Sequence, residues 1–141
     1  MIETLPAEPL SEFLDTNAVT RYLLRDHPTH PPRARGLIES ERRLRISIVT
    51  LAEVGYILTR VGGVSRAEAV DTMVDLLNRE NIEVHEVPTE LAVQALGLCR
   101  PSGRVNFGDA MLWAVARSAS PARVWTFDER FPSAGVEVRQ P

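Results

Sequence analysis

Apolar residues recur along this chain at two spacings, one suited to strands and one to helices. Phe13-Leu14, ahead of Asp15, reads as a short buried strand. From Asn17 to Arg25, Val19, Tyr22 and Leu23 fall at helical spacing. Pro28, Pro31 and Pro32 interrupt, and Arg33 to Ser40 fits a second helix. Leu44-Arg45-Ile46-Ser47-Ile48-Val49 is the clearest strand, rich in β-branched residues. Thr50 opens a helix to about Arg60, which Gly62-Gly63 ends. Ser65-Arg66-Ala67-Glu68 has the form of a capping box and starts another helix. Asn81 to His85 alternates like a strand. Pro88 to Leu98 predicts a helix with Leu91, Ala95 and Leu98 on one face. Pro101-Ser102-Gly103 is a turn, and Phe107 to Ala119 is a strongly apolar helix. Arg123 to Phe127 is a strand, and Val136-Glu137-Val138 a last one. Residues 1–10 read as a flexible tail broken by Pro6 and Pro9, leaving 11–141 as a single domain.

Strands alternating with helices argue for an α/β fold, with a parallel sheet covered by helices on both faces. Ligands of such sheets bind beyond the carboxyl ends of the strands. Four acids stand out against that frame: Asp15, Glu53, Asp109 and Asp128. Asp15, Glu53 and Asp128 follow predicted strands, and Asp109 opens a helix that can face the same crevice. A carboxylate ending a buried strand is costly to desolvate unless something pairs it. One hard divalent cation can pair several of them at once.

Helix capping is the plainer explanation for each acid alone. Thr50-x-x-Glu53 and Asn106-x-x-Asp109 fit a capping pattern, and Asp15 can cap the helix that follows it. Capping does not require three acids at one sheet edge. Metal binding does, because Mg²⁺ or Mn²⁺ needs several oxygens around one point.

Composition narrows the choices. With 141 residues, 44% of them hydrophobic, the chain can bury a core without disulfides or structural zinc. The lone Cys99 lies in an apolar stretch suited to packing and fits a reducing, cytoplasmic setting. No run approaches the roughly 18 apolar residues of a membrane span, and the acidic start lacks the form of a signal peptide. All 16 basic residues are arginine, and none is lysine. That absence removes phosphatases of the haloacid-dehalogenase type and response-regulator receivers. The former would also need an acid where Asn17 stands. No Gly-x-Ser-x-Gly and no phosphate loop with lysine is present, so serine hydrolases and P-loop enzymes drop out. His27 and His30 sit among prolines and His85 falls at a strand end, so a histidine zinc site is not supported. Trp113, with Leu112, Val115 and Ala116, reads as helix core or subunit interface. Tyr22 and Trp125 read as packing residues.

Four short stretches, in order, carry a resemblance. They are Phe13-Leu14-Asp15-Thr16-Asn17, Thr50-Leu51-Ala52-Glu53-Val54, Asn106-Phe107-Gly108-Asp109-Ala110 and Thr126-Phe127-Asp128-Glu129-Arg130-Phe131. Each is unspecific alone; their order and spacing are specific. The chain resembles the PIN-domain family, and most closely the toxins of VapBC-type toxin–antitoxin pairs. That resemblance implies a three-layer α/β/α sandwich with a mainly parallel central sheet. It implies a Mg²⁺- or Mn²⁺-dependent endoribonuclease that hydrolyses RNA with metal-activated water. It implies Asp15, Asp109 and Asp128 as metal ligands, Glu53 acting through water, and Asn17 and Thr126 as polar neighbours that orient them. It further implies a cognate antitoxin and a homodimer. Apolar helices such as Leu51 to Leu58 suggest a dimer independently. Arg21, Arg25, Arg104 and Arg130 are candidates for RNA backbone contact, against the plainer reading of solvated surface arginines. The alternative in another class is a noncatalytic RNA- or protein-binding module on the same fold.

Overall fold

A computed structural model describes residues 10–24 and 30–141 of the chain. Residues 1–9, most of the expected tail, lie outside the described residues, as do Arg25 and His27, and no side-chain position is described for His30. The described elements are α1 (Thr16–Leu24), α2 (His30–Ile38), β1 (Leu44–Ile46), α3 (Ile48–Arg60) and α4 (Arg66–Leu77). They continue with β2 (Ile82–Val84), α5 (Thr89–Cys99), α6 (Phe107–Ser118), β3 (Arg123–Trp125) and β4 (Glu137–Arg139). The architecture is α/β, with six helices and short parallel strands among the described residues.

Strand pairing is parallel, as the alternating pattern predicts. Leu44 lies opposite Ile82 and Ile46 opposite Val84. The Phe13–Leu14 segment joins β1 by a single parallel bridge: Leu14 N–H donates to Arg45 O at 2.9 Å, and Arg45 N–H to Glu12 O at 2.8 Å. β3 pairs with β4, and Thr126 N–H extends that ladder onto Arg139 O. The described strands form two two-stranded sheets and one bridge rather than a continuous central sheet. Strands only three residues long offer few ladder bonds.

The predicted strand Leu44 to Val49 ends early. Ser47 is extended and its hydroxyl accepts the Val49 N–H at 3.2 Å, so it caps a helix that begins at Ile48 rather than Thr50. The β-branched pair Ile48-Val49 enters the helix because the cap satisfies a first-turn amide and Ile48 buries itself in the core. Ser65 caps α4 by accepting the Glu68 N–H at 3.2 Å, as its capping-box form predicts. At the far end of α3, Val64 N–H reaches back to Leu58 O, and Gly63 takes φ +66°. That left-handed turn favours glycine and ends the helix where expected.

One hydrophobic cluster joins Leu14, Val19, Ile46, Leu51, Leu96, Met111 and Val124. Leu51, Val54 and Leu58 are consumed by it, while Tyr56 in the same stretch stays exposed, so the apolar surplus expected on Leu51 to Leu58 is largely spent on the core. Trp113 and Ala116 are core, while Leu112 and Val115 on the same helix remain exposed. Trp113 Nε1–H donates to Ala134 O at 2.9 Å. Tyr22 is buried, its hydroxyl donating to Glu39 at 3.0 Å. Trp125 departs from its expected packing role: β3 turns Val124 inward and leaves Trp125 exposed beneath the Arg123 guanidinium. Cys99 is packing, as expected, and burial pushes its thiol up to about 11. No helix among the described residues is long and apolar enough to cross a membrane.

Candidate active site

Asp15 stands just past the Phe13–Leu14 segment. Its Oδ1 accepts the Ala18 N–H at 2.8 Å, capping α1. The next residue makes the connection that matters. Thr16 Oγ1 donates to Glu53 Oε2 at 2.6 Å. Segment 13–14 runs parallel to β1, and β1 leads through Ser47 into α3. Asp15 and the helix carrying Glu53 therefore leave the same strand edge. Because α3 starts at Ile48, Glu53 lies beyond the first turn and cannot cap it. The expected Thr50-x-x-Glu53 capping pattern is thus corrected.

Asp109 is held by Asn106, the cap of α6. Asn106 Oδ1 accepts the Asp109 N–H at 2.7 Å, and its Nδ2 donates to Asp109 Oδ2 at 3.1 Å. The same helix start presses on α3. A Cβ on Gly55 would lie 2.4 Å from Cγ of Phe107. Glu53 is two residues before that contact on α3, and Asp109 two residues after it on α6.

Asp128 follows β3. Its N–H donates to Thr126 Oγ1 at 3.0 Å. Its Oδ1 accepts the Arg130 N–H at 2.8 Å and the Arg130 guanidinium at 3.3 Å. The Arg130 backbone amide is the main cause holding this carboxyl below its usual range. Partial desolvation opposes that shift, and the charges of Arg130 and Arg104 support it. Arg104 belongs to the loop that leads to Asn106 and Asp109.

Asp15 and Glu53 are exposed, and Asp109 and Asp128 are partly exposed. The large desolvation cost expected of carboxylates at strand ends does not arise. Capping does account for Asp15, and for Asn106 with Asp109. Each acid uses a local N–H or O–H donor. Among the described residues, no three His, Cys, Asp or Glu side chains stand close enough together to hold an ion. The chemistry of the set is nonetheless that of a hard-cation site: three aspartates and a glutamate, with no nitrogen or sulfur donor among them.

The family model of the PIN domain matches residues 13–137, which includes all four acids. The chain belongs to the PIN domain family. PIN domains are in general nucleases that bind RNA and typically use divalent metals. No curated protein and no solved structure matches the chain.

Other candidate residues of this PIN domain fall unevenly. Thr126 touches Asp128 through the backbone amide. Asn17 is exposed and donates to none of the acids among the described residues. Arg104 is exposed beside Asp128, Arg130 is ion-paired with it, and Arg21 is half-buried in α1. His85 lies just past β2, its Nδ1 at 3.0 Å from Arg45 Nη1 and its ring edge-on to Phe13. Thr16 was legible only as part of a motif. Its contact with Glu53 spans 37 positions, and no local pattern signals it.

Proposed function

We propose that this PIN domain is a Mg²⁺- or Mn²⁺-dependent endoribonuclease, with Asp15, Glu53, Asp109 and Asp128 as its acidic site. The carrying observation is the Thr16–Glu53 hydrogen bond. It joins the residue next to Asp15 to an acid within α3 that has no capping role. Asp15, Asp109 and Asp128 would hold the ion, and Glu53 would reach it through water. When bound, the ion supplies Lewis acidity, a lowered pKa for water and charge for an in-line displacement at phosphorus.

The chain's own residues prepare that chemistry. Thr16 fixes the Glu53 carboxylate, and Asn106 fixes that of Asp109. Thr126 anchors the Asp128 backbone, and the Arg130 amide orients the Asp128 carboxylate. Arg104 and Arg21 would contact RNA phosphates, and Asn17 would hold water. Hydrolysis needs no covalent enzyme intermediate: water forms the new P–O bond and the leaving oxygen takes a proton.

We further infer that residues 11–141 form one domain, with the sheet between two helical layers. Toxin activity, restrained by a cognate antitoxin in the cytoplasm, follows the resemblance in motif order. Exposed Leu112 and Val115 on α6 offer apolar surface to a homodimer. A monomer mass by light scattering at micromolar concentration would sink the dimer. Growth arrest on induced expression, relieved by Asp15→Asn, is the result the toxin role requires. For the nuclease itself, purified protein is incubated with structured RNAs and Mn²⁺ beside Asp15→Asn. Wild-type cleavage and a silent variant are expected; equal RNA survival with both proteins favours the noncatalytic binding module.

A further inference from the structure

Beside Glu53 and Asp109 lies a cleft of about 180 Å³ between α3 and the start of α6. Tyr56 and Arg60 enter it from α3, Arg66 from the start of α4, and Asn106 and Gly108 from the α6 end. Tyr56 is one helical turn beyond Glu53 and is 60% exposed. A tyrosine so exposed, one turn from Glu53, has no role in the hydrophobic core.

The cations here differ in how they are held. Arg66 is fixed: its guanidinium donates to Val105 O and lies 4.8 Å from the centre of the Phe107 ring. Its Nε is buried without a hydrogen-bond partner among the described residues. Arg60 is exposed and makes no ion pair among the described residues. Gly108 adds no side chain, so the floor of the cleft stays open.

A flat aromatic face, two guanidinium groups and a narrow opening suit one unstacked nucleotide. Single-stranded RNA is held by bases stacked on aromatic or arginine planes and by cations on its backbone. The geometry points to a subsite for one nucleotide flanking the scissile phosphate, with its base stacked on Tyr56 and its phosphate on Arg60. Arg66, held by Val105 O and the Phe107 ring, adds a fixed positive charge to the cleft wall. This inference rests on the nuclease reading and adds to it the residues that choose the substrate.

The test uses Asp15→Asn protein, which keeps the α1 cap and leaves the RNA uncut. Fluorescence anisotropy measures its binding to a short, labelled, random-sequence single-stranded RNA in Mg²⁺. Adding Tyr56→Ala is expected to weaken binding about tenfold, and Tyr56→Phe to restore it, because stacking needs only the ring. Adding Arg60→Ala weakens binding and flattens its salt dependence. If Tyr56→Ala binds like its parent while wild type still cuts RNA, the subsite is overturned and the nuclease stands. If wild type cuts no RNA and the parent binds none, the nuclease reading fails and the subsite with it.

Discussion

Thr16 Oγ1 donates a 2.6 Å hydrogen bond to Glu53 Oε2. Among the described residues it is the side-chain contact that reaches directly from the Asp15 turn to another of the four acids. Thr16→Val removes the hydroxyl and keeps the shape. Cleavage by the variant is expected to fall about tenfold, as for loss of a group that orients a ligand. Stability should fall by less than about 1.5 kcal/mol, because the bond is exposed. Unchanged kcat/KM would show that Glu53 needs no such support.

Asp15 has two separable duties. Its carboxylate caps α1, and asparagine caps as well as aspartate does. Asp15→Asn is therefore expected to melt within about 0.5 kcal/mol of wild type while losing nearly all cleavage. Asp15→Ala should lose about 0.5–2 kcal/mol as well. Thermal melts and cleavage rates on the three proteins separate the duties. An active Asp15→Asn enzyme would reduce Asp15 to a cap.

Gly55 and Gly97 make a matched pair. A Cβ at Gly55 meets the Phe107 ring at 2.4 to 2.7 Å, whereas one at Gly97 in α5 meets nothing within 4 Å. Gly55→Ala must push the start of α6 away, costing about 1–3 kcal/mol and displacing Asp109. Gly97→Ala should stabilise by roughly 0.5–1 kcal/mol. Opposite shifts in Tm are expected, with cleavage lost only for Gly55→Ala. Shifts of the same sign would contradict the packing described.

Much of this was readable from residue order, and the exceptions have physical causes. The helices followed from apolar spacing and from the hydroxyl and amide caps Ser65 and Asn106. The start of α3 did not. Ile48 and Val49 favour strands by type, and only tertiary burial of Ile48 together with the Ser47 cap makes them helical. The alternation also predicted a longer sheet than the two short ladders found. Trp125 looked like core because of its size; its strand faces the other way. The four acids could be picked out because each follows or opens a regular element. The caps at Asp15 and Asn106 could be read as well, but the Thr16–Glu53 contact could not, because it depends on the packing of α1 against α3.

Away from the site, Arg100 grips Asp71 with two bonds, Nε to Oδ1 at 2.9 Å and Nη2 to Oδ2 at 3.0 Å, joining α5 to α4. The Arg100 hydrogen bonds lower the Asp71 pKa from its ordinary 3.8. A carboxyl depressed by folding stabilises above its unfolded pKa, and that contribution fades as pH falls through the folded value. Wild type should therefore melt above Arg100→Ala at pH 6, with the gap closing in the acid range below the ordinary carboxylate pKa. A gap that persists once both states are protonated would assign the stabilisation to packing instead.

The central claim is that Asp15, Glu53, Asp109 and Asp128 serve one cation. Mn²⁺ binding followed by electron paramagnetic resonance tests it without requiring an RNA target. Wild type should bind Mn²⁺ in competition with Mg²⁺. Asp15→Asn, Asp109→Asn and Asp128→Asn should each weaken that binding about tenfold or more, and Glu53→Gln less, since it acts through water. Equal Mn²⁺ affinity in wild type and all three aspartate variants would contradict the account.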